Sequence, residues 1–225
     1  MGNRLGNEEN SLAGRGALWQ AAVMGRYQPL HLAERARHRD ETVALPEGRP
    51  ARIAVISDTH GRPHIDCLGQ VAARSPDLIL HAGDIGDPTT LKPFAALAPT
   101  YAVRGNIDAR GEGAAPDSLA LRLSGDGWIM TVLLVHIALR GPRLRADTAR
   151  FAKGHDASMV VCGHSHVPFI GRDRDLVVLN PGSIGPRRFR LPVTFAMMEV
   201  SAARLDMHHV SCDTGRRWMP GARDD

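Results

Sequence analysis

Seven side chains of metal-binding type stand just past the ends of apolar runs in this 225-residue chain. Asp58 and His60 follow R-I-A-V-I-S, Asp84 follows L-I-L-H-A-G, and Asn106 follows Y-A-V-R-G. His136 follows W-I-M-T-V-L-L-V, and His164 and His166 follow M-V-V-C-G. A lone histidine after a strand is ordinarily a packed core or surface residue. Five strand ends that each deliver a ligand make a pattern which that reading does not explain. Imidazole, carboxylate and amide oxygen without thiolate suit Mn²⁺, Fe²⁺, Zn²⁺ or Ni²⁺ rather than Ca²⁺.

The elements that must position these groups can be read from periodicity. Arg52–Ser57 is a short continuous apolar run with β-branched residues, the pattern of a buried and parallel strand. A helix is predicted over His64–Arg74, with Ile65, Leu68, Val71 and Ala72 at helical spacing, ended by Ser75-Pro76. A second strand is predicted at Leu78–Leu80, a helix over Thr89–Leu97 and a third strand over Thr100–Val103. This alternation is that of parallel α/β structure, in which chemistry gathers beyond the carboxyl ends of strands. The second half reads differently. Ser118–Leu123 and Trp128–Val135 flank S-G-D-G as a hairpin, and a helix is expected over Arg143–Lys153. Strands follow at Met159–Cys162, Val167–Gly171, Leu176–Leu179, Val193–Val200 and Arg204–Val210, expected as a mostly antiparallel set.

Residues 1–50 differ from the rest and are expected to form an N-terminal extension outside the core. The first sixteen are rich in Gly, Asn and charge, which suits disorder. Short helices are expected between Ala17 and Arg39, broken at Pro29, and Pro46–Pro50 reads as a linker. The chain carries 28 Lys and Arg against 24 Asp and Glu, for a formal net charge of +4. Nearly all its basic residues are Arg and they are scattered, which speaks against a dedicated nucleic-acid surface. Cys67, Cys162 and Cys212 form no CxxC pair, so neither a disulfide framework nor a thiolate zinc site is indicated. Reduced thiols, no secretory pattern and no apolar run of bilayer length point to a cytoplasmic protein without membrane contact.

The ordered motifs I-S-D-T-H-G, H-A-G-D, V-R-G-N-I-D, G-H-S-H and L-N-P-G-S resemble those of the calcineurin-like metallophosphoesterase superfamily, in particular its small bacterial and archaeal phosphodiesterase branch. The resemblance spans about Ala51 to Val210 and makes residues 51–225 the metallophosphoesterase domain. It implies an α/β fold of four layers, a two-sheet β sandwich flanked by helices, with two divalent metal ions at one end. Manganese is the first expectation, with iron, zinc or nickel as alternatives. Carried over by motif, Asp58, His60 and His166 hold one metal, and Asn106, His136 and His164 the other. Asp84 bridges them, since a carboxylate can span two cations about 3.5–4 Å apart. Water shared by two cations loses its proton near neutral pH and becomes an in-line nucleophile. A small or nucleotide-like phosphodiester is the implied substrate, and a homo-oligomer is left open.

Other residues take smaller parts. His81 orients a ligand or its loop, or is a plain buried histidine. Asn106 and Asp108 are the candidate catalytic residues, Asp108 holding a ligand histidine or serving only as a turn residue. Arg187 and Arg188, with Arg190 nearby, are candidates for a phosphate oxygen, against the reading of solvated arginines. Asn180–Ser183 supports the site, and His208 and His209 are structural or exposed. Two departures from the family stand out. His136-Ile137-Ala138 replaces the common H-G-H, and Gly105-Asn106-Ile107-Asp108 replaces the G-N-H-E of protein phosphatases. The latter also carry Arg shortly after the bridging Asp, where this chain has Gly86-Asp87-Pro88. A Ser/Thr protein phosphatase is thereby disfavoured; a non-catalytic protein-binding scaffold and a phosphomonoesterase remain as rivals.

Overall fold

Strands Ala51–Ile56 (β2), Leu78–His81 (β3) and Thr100–Ala102 (β4) lie side by side in parallel, as their uninterrupted apolar runs predict. The computed structural model describes residues 37–111, 113–188 and 190–220. These three strands belong to a six-stranded sheet completed by β12 (Thr194–Val200), β13 (Leu205–Ser211) and β14 (Arg217–Trp218), in the order β14-β13-β12-β2-β3-β4. A second six-stranded sheet contains β1 (His38–Ala44), β5 (Ser118–Gly125), β6 (Trp128–Val135), β9 (Met159–Val161), β10 (Phe169–Asp173) and β11 (Leu176–Asn180). Its order is β1-β5-β6-β9-β11-β10. A small hairpin joins β7 (Leu139–Arg140) to β8 (Arg143–Leu144). The helices are α1 (Cys67–Ala72), α2 (Lys92–Leu97) and α3 (Ala146–Gly154).

Successive strand residues point to opposite faces, and this sorts the core into three clusters. Ile53, Val55, Leu78 and Leu80 meet Leu121, Leu134, Met159 and Val161 between the sheets. Ala54, Ile56 and Ile79 turn the other way, onto Cys67, Val71 and Phe94 of α1 and α2. Leu133, Val160 and Val178 of the second sheet back onto Ala152 of α3. The result is the expected four-layer α/β sandwich. Emptying a fully buried position such as Leu80 or Leu134 by Leu→Ala costs about 2–5 kcal/mol.

Three local expectations are corrected. Residues 1–50 are not all outside the sandwich, because the whole of β1 pairs in parallel with β5, from His38↔Ser118 to Ala44↔Ser124. Val43 packs on the inter-sheet core and Leu45 is buried. The run H-R-D-E-T-V-A hides this role because an edge strand tolerates charge on both faces. The helices expected over Ala17–Arg39 lie outside the described residues up to Ala36, and His38 and Arg39 are extended. Second, the later strands are mostly antiparallel as expected, in β5–β6, β10–β11 and β12–β13, but β9 departs from this and pairs in parallel with both β6 and β11. Third, the predicted helix at Arg143 begins at Ala146, the preceding residues closing the β7–β8 hairpin.

Candidate metal centre

Parallel neighbours end on the same side of a sheet, and this brings the seven side chains together. Asp58 and His60 follow β2, Asp84 follows β3 and Asn106 follows β4. His136 follows β6, and His164 and His166 follow β9. The loops are then zipped to one another. Asp58 N–H donates to Gly83 O at 2.9 Å, His60 N–H to Asp84 O at 2.9 Å, and Gly61 N–H to Ile85 O at 2.8 Å. In the other sheet, Gly163 N–H donates to His136 O at 3.0 Å.

Two clusters result, in each of which one ligand atom per residue lies within 4.8 Å of the others: Asp58, His60 and His166, and Asp84, His136 and His164. His166 Nε2 is 3.2 Å from Asp58 Oδ1 and 3.2 Å from His60 Nε2. His136 Nε2 is 3.2 Å from Asp84 Oδ1 and 3.1 Å from Asn106 Oδ1, which also lies 3.0 Å from His164 Nδ1. Asp84 joins the clusters: its Oδ2 is 3.9 Å from His60 Nε2, while its Oδ1 faces His136.

The donor set fits a cation. Asp58 Oδ1 is buried without a hydrogen-bond partner among the described residues, a costly arrangement for a carboxylate oxygen. His136 Nδ1–H donates to Ala82 O at 2.7 Å, so a neutral His136 turns its Nε2 lone pair toward two further acceptor oxygens. Only a proton or a metal relieves that crowding. A carbonyl that fixes the tautomer in this way is the usual support of a metal-ligating imidazole. Burial alone raises the Asp84 pKa, but the hydrogen bond and charge of His136 and the Ile107 N–H bring it down to about 2. Burial, reinforced by the Arg188 charge, lowers His60; burial and then His136 lower His164. Lone pairs on both imidazoles are therefore available near neutral pH.

Backbone strain is concentrated here. Asp58, His60, Asp84, His164 and His166 all have positive φ, between 50° and 69°. Asp and His tolerate this region better than most residues, yet each such position costs of order 1 kcal/mol. Close approach fixes two glycines. A Cβ on Gly105 would sit 2.0 Å from Asp84 Oδ1, and one on Gly163 2.0 Å from Ser57 Oγ.

The supporting residues divide more clearly than sequence allows. His81 is fully buried; its Nδ1 accepts Gly83 N–H at 3.1 Å, so its Nε2–H donates to Thr59 Oγ1 at 2.6 Å. It orients the two ligand loops, and burial pushes its pKa down to about 4. Asp108 holds no ligand histidine. Its carboxylate accepts Gly105 N–H at 2.7 Å, Gly86 N–H at 2.8 Å and Ile85 N–H at 3.0 Å, which ties the Asn106 loop to the Asp84 loop. With both oxygens so engaged, it is a loop staple rather than a proton donor. Arg187 is turned away, paired with Asp213 at 2.5 Å, whereas Arg188 Nη2 reaches His60 Nε2 at 3.2 Å. Asn180 Nδ2 donates to Gly163 O at 2.8 Å, and Ser183 Oγ to Asp58 O at 3.0 Å. His209 Nε2–H donates to Asn180 O at 2.8 Å. Ser57 was missed: its hydroxyl donates to Asp58 Oδ2 at 2.6 Å, and adjacency to Asp58 is the only signal. The three cysteines are buried free thiols, Cys162 pushed up to about 12 by burial, and none reaches the clusters.

A two-sheet sandwich with His, Asp and Asn converging at the carboxyl ends of its parallel strands defines a metal-dependent phosphoesterase. Residues 52–203 match the calcineurin-like phosphoesterase superfamily domain, and the chain belongs to that superfamily. A probable metallophosphoesterase of Methanothermobacter thermautotrophicus is 32% identical over 159 residues, covering 68% of this chain and 88% of that one. Among solved structures, a predicted phosphoesterase of Streptococcus pneumoniae superposes with TM-score 0.56 at 23% identity, covering 76% of this chain and 94% of that one. Vacuolar protein sorting 29 of Cryptosporidium parvum gives TM-score 0.63 at 15% identity, with 75% and 95% covered. At these identities the structural likenesses establish the fold alone.

Proposed function

We propose that the protein is a dinuclear, metal-dependent phosphodiesterase of the cytoplasm acting on a small phosphodiester, with manganese as the first candidate metal. The observation that carries this is Asp84, whose two oxygens face different histidine clusters. Asp58, His60 and His166 would hold one ion, and Asn106, His136 and His164 the other. Divalent cations bound there neutralise phosphoryl charge and lower the pKa of water. The chain's own residues do the rest. Arg188, whose guanidinium lies beside His60, would take a non-bridging phosphate oxygen. Ile107 and Ile137, each one residue past a proposed ligand, are 50% and 39% exposed. They offer an apolar surface to an uncharged ester arm, which favours a diester over a doubly charged monoester. Buried free thiols suit a reducing compartment.

No imidazole follows Asn106 to protonate a leaving group, and Asp108 is committed to backbone N–H groups. General acid assistance is worth ~10²–10⁴-fold, so activity should fall steeply from aryl to alkyl diesters. The test is a panel of aryl phosphodiesters and monoesters of graded leaving-group pKa, assayed with Mn²⁺, on wild type and Arg188→Ala. Diester turnover that collapses with rising leaving-group pKa and drops in Arg188→Ala supports the reading. Faster monoester turnover makes it a phosphomonoesterase, and metal binding without turnover makes it a scaffold.

A further inference from the structure

Among the described residues, one cluster of metal-binding side chains lies outside the centre just described. His38 and Asp40 are two residues apart on β1 and so share a face. They turn opposite to Val43, which enters the inter-sheet core. That outer face carries α3, whose C-terminal end brings His155. One ligand atom from each of His38, Asp40 and His155 lies within 4.8 Å of the other two.

We propose that His38, Asp40 and His155 form a separate site for zinc or a neighbouring divalent transition ion, and that the bound ion pins edge strand β1 to the end of α3. Both imidazoles are prepared for this role. His155 Nδ1–H donates to Phe151 O at 2.9 Å, which leaves Nε2 as its lone-pair nitrogen. His38 Nδ1 is engaged with Ser118 Oγ at 2.9 Å, and its Nε2 faces Asp40 Oδ1 at 3.4 Å. The Phe151 carbonyl fixes the tautomer of His155, and the Ser118 hydroxyl, able to donate or accept, holds the direction of the His38 ring. The rings are also braced: His38 and His155 have centroids 4.4 Å apart, and each packs on Phe151, at 4.8 and 4.4 Å. Phe151 supplies an apolar wall on one side. Two imidazoles and one carboxylate select Zn²⁺, Co²⁺, Ni²⁺ or Cu²⁺ over Mg²⁺ and Ca²⁺, and water or a further group completes the shell.

The consequence is mechanical. Among the described residues, β1 has a strand neighbour on one side only, and an ion shared with His155 adds a tie that its hydrogen bonds to β5 do not provide. Binding to the folded form alone stabilises it in proportion to occupancy.

The experiment is equilibrium dialysis of the full chain against Zn²⁺, with amide hydrogen exchange of Asp40–Thr42 followed in parallel, on wild type, His155→Ala and Asp40→Asn. His155 lies beyond the end of α3, so its loss leaves β1 and the fold in place even where changes within β1 do not. Wild type should bind one more equivalent than His155→Ala, zinc should slow β1 exchange in wild type only, and His155→Ala should keep wild-type turnover. Equal stoichiometry in the two proteins, or β1 exchange unmoved by zinc in wild type, overturns the site.

Discussion

The carboxylate of Asp58, in the loop after β2 of one sheet, accepts the backbone N–H of His164, in the loop after β9 of the other, at 3.1 Å. The same Oδ2 takes the Ser57 hydroxyl, and Oδ1 is left bare toward His60 and His166. One side chain therefore serves both clusters: it belongs to the first and shapes the loop that carries His164 to the second. Asp58→Ala should lower metal content at both, where a residue serving one cluster alone would empty one. Anomalous scattering from crystals soaked in Mn²⁺ resolves the two, and full occupancy at the His136–His164 side would show that Asp58 acts locally.

His164 illustrates what the ligand loops cost. It is exposed, with φ 69°, so its side chain adds little to the metal-free fold while its backbone is strained. His164→Gly should be more stable than His164→Ala by about 1 kcal/mol without metal, since only glycine adopts this φ freely. Both variants lose the ligand. Chemical denaturation in chelator measures the difference; an equal midpoint for the two would mean that the loop relaxes.

His81 makes stability depend on pH. Its folded pKa, about 4, lies below the ordinary 6.5 because burial disfavours the charged ring. The unfolded chain thus binds a proton between these values that the native chain refuses. Stability from this group is full above about pH 6.5 and is lost as pH falls toward 4, by of order 3 kcal/mol. His81→Gln should flatten that limb of a metal-free denaturation profile. An unchanged slope would place the titrating group elsewhere.

The place of β1 yields a prediction about the chain's start. A chain beginning at Arg49 loses β1, bares the edge of β5 and gives up the burial of Val43 and Leu45, roughly 3 kcal/mol. It should melt lower than a chain beginning at Arg35 and associate through the bared edge. Equal melting temperatures and a monomeric state for both would mean that β1 contributes nothing to the sandwich.

Much of this arrangement was legible in the residues. The runs before Asp58, Asp84 and His136 predict buried strands because both faces are covered, and a ligand at each stop follows from parallel order. What was not legible depended on contacts distant in sequence. The carboxylate of Asp108 finds its donors in Ile85, Gly86 and Gly105, and spacing carries no trace of that. Arg187 and Arg188 are adjacent and chemically alike, yet Asp213 takes one and His60 the other. β1 escaped notice because Val43 near its end and Leu45 just past it follow a charged stretch that periodicity assigns to solvent.

The central claim is that Asp84 serves two ions at once. Elemental analysis of purified wild type and Asp84→Asn, with turnover of an aryl phosphodiester measured on the same samples, tests it most directly. The account predicts two metal equivalents in wild type, fewer in Asp84→Asn, and a fall in turnover that tracks the loss. Two full equivalents in an Asp84→Asn protein that still turns over would contradict it.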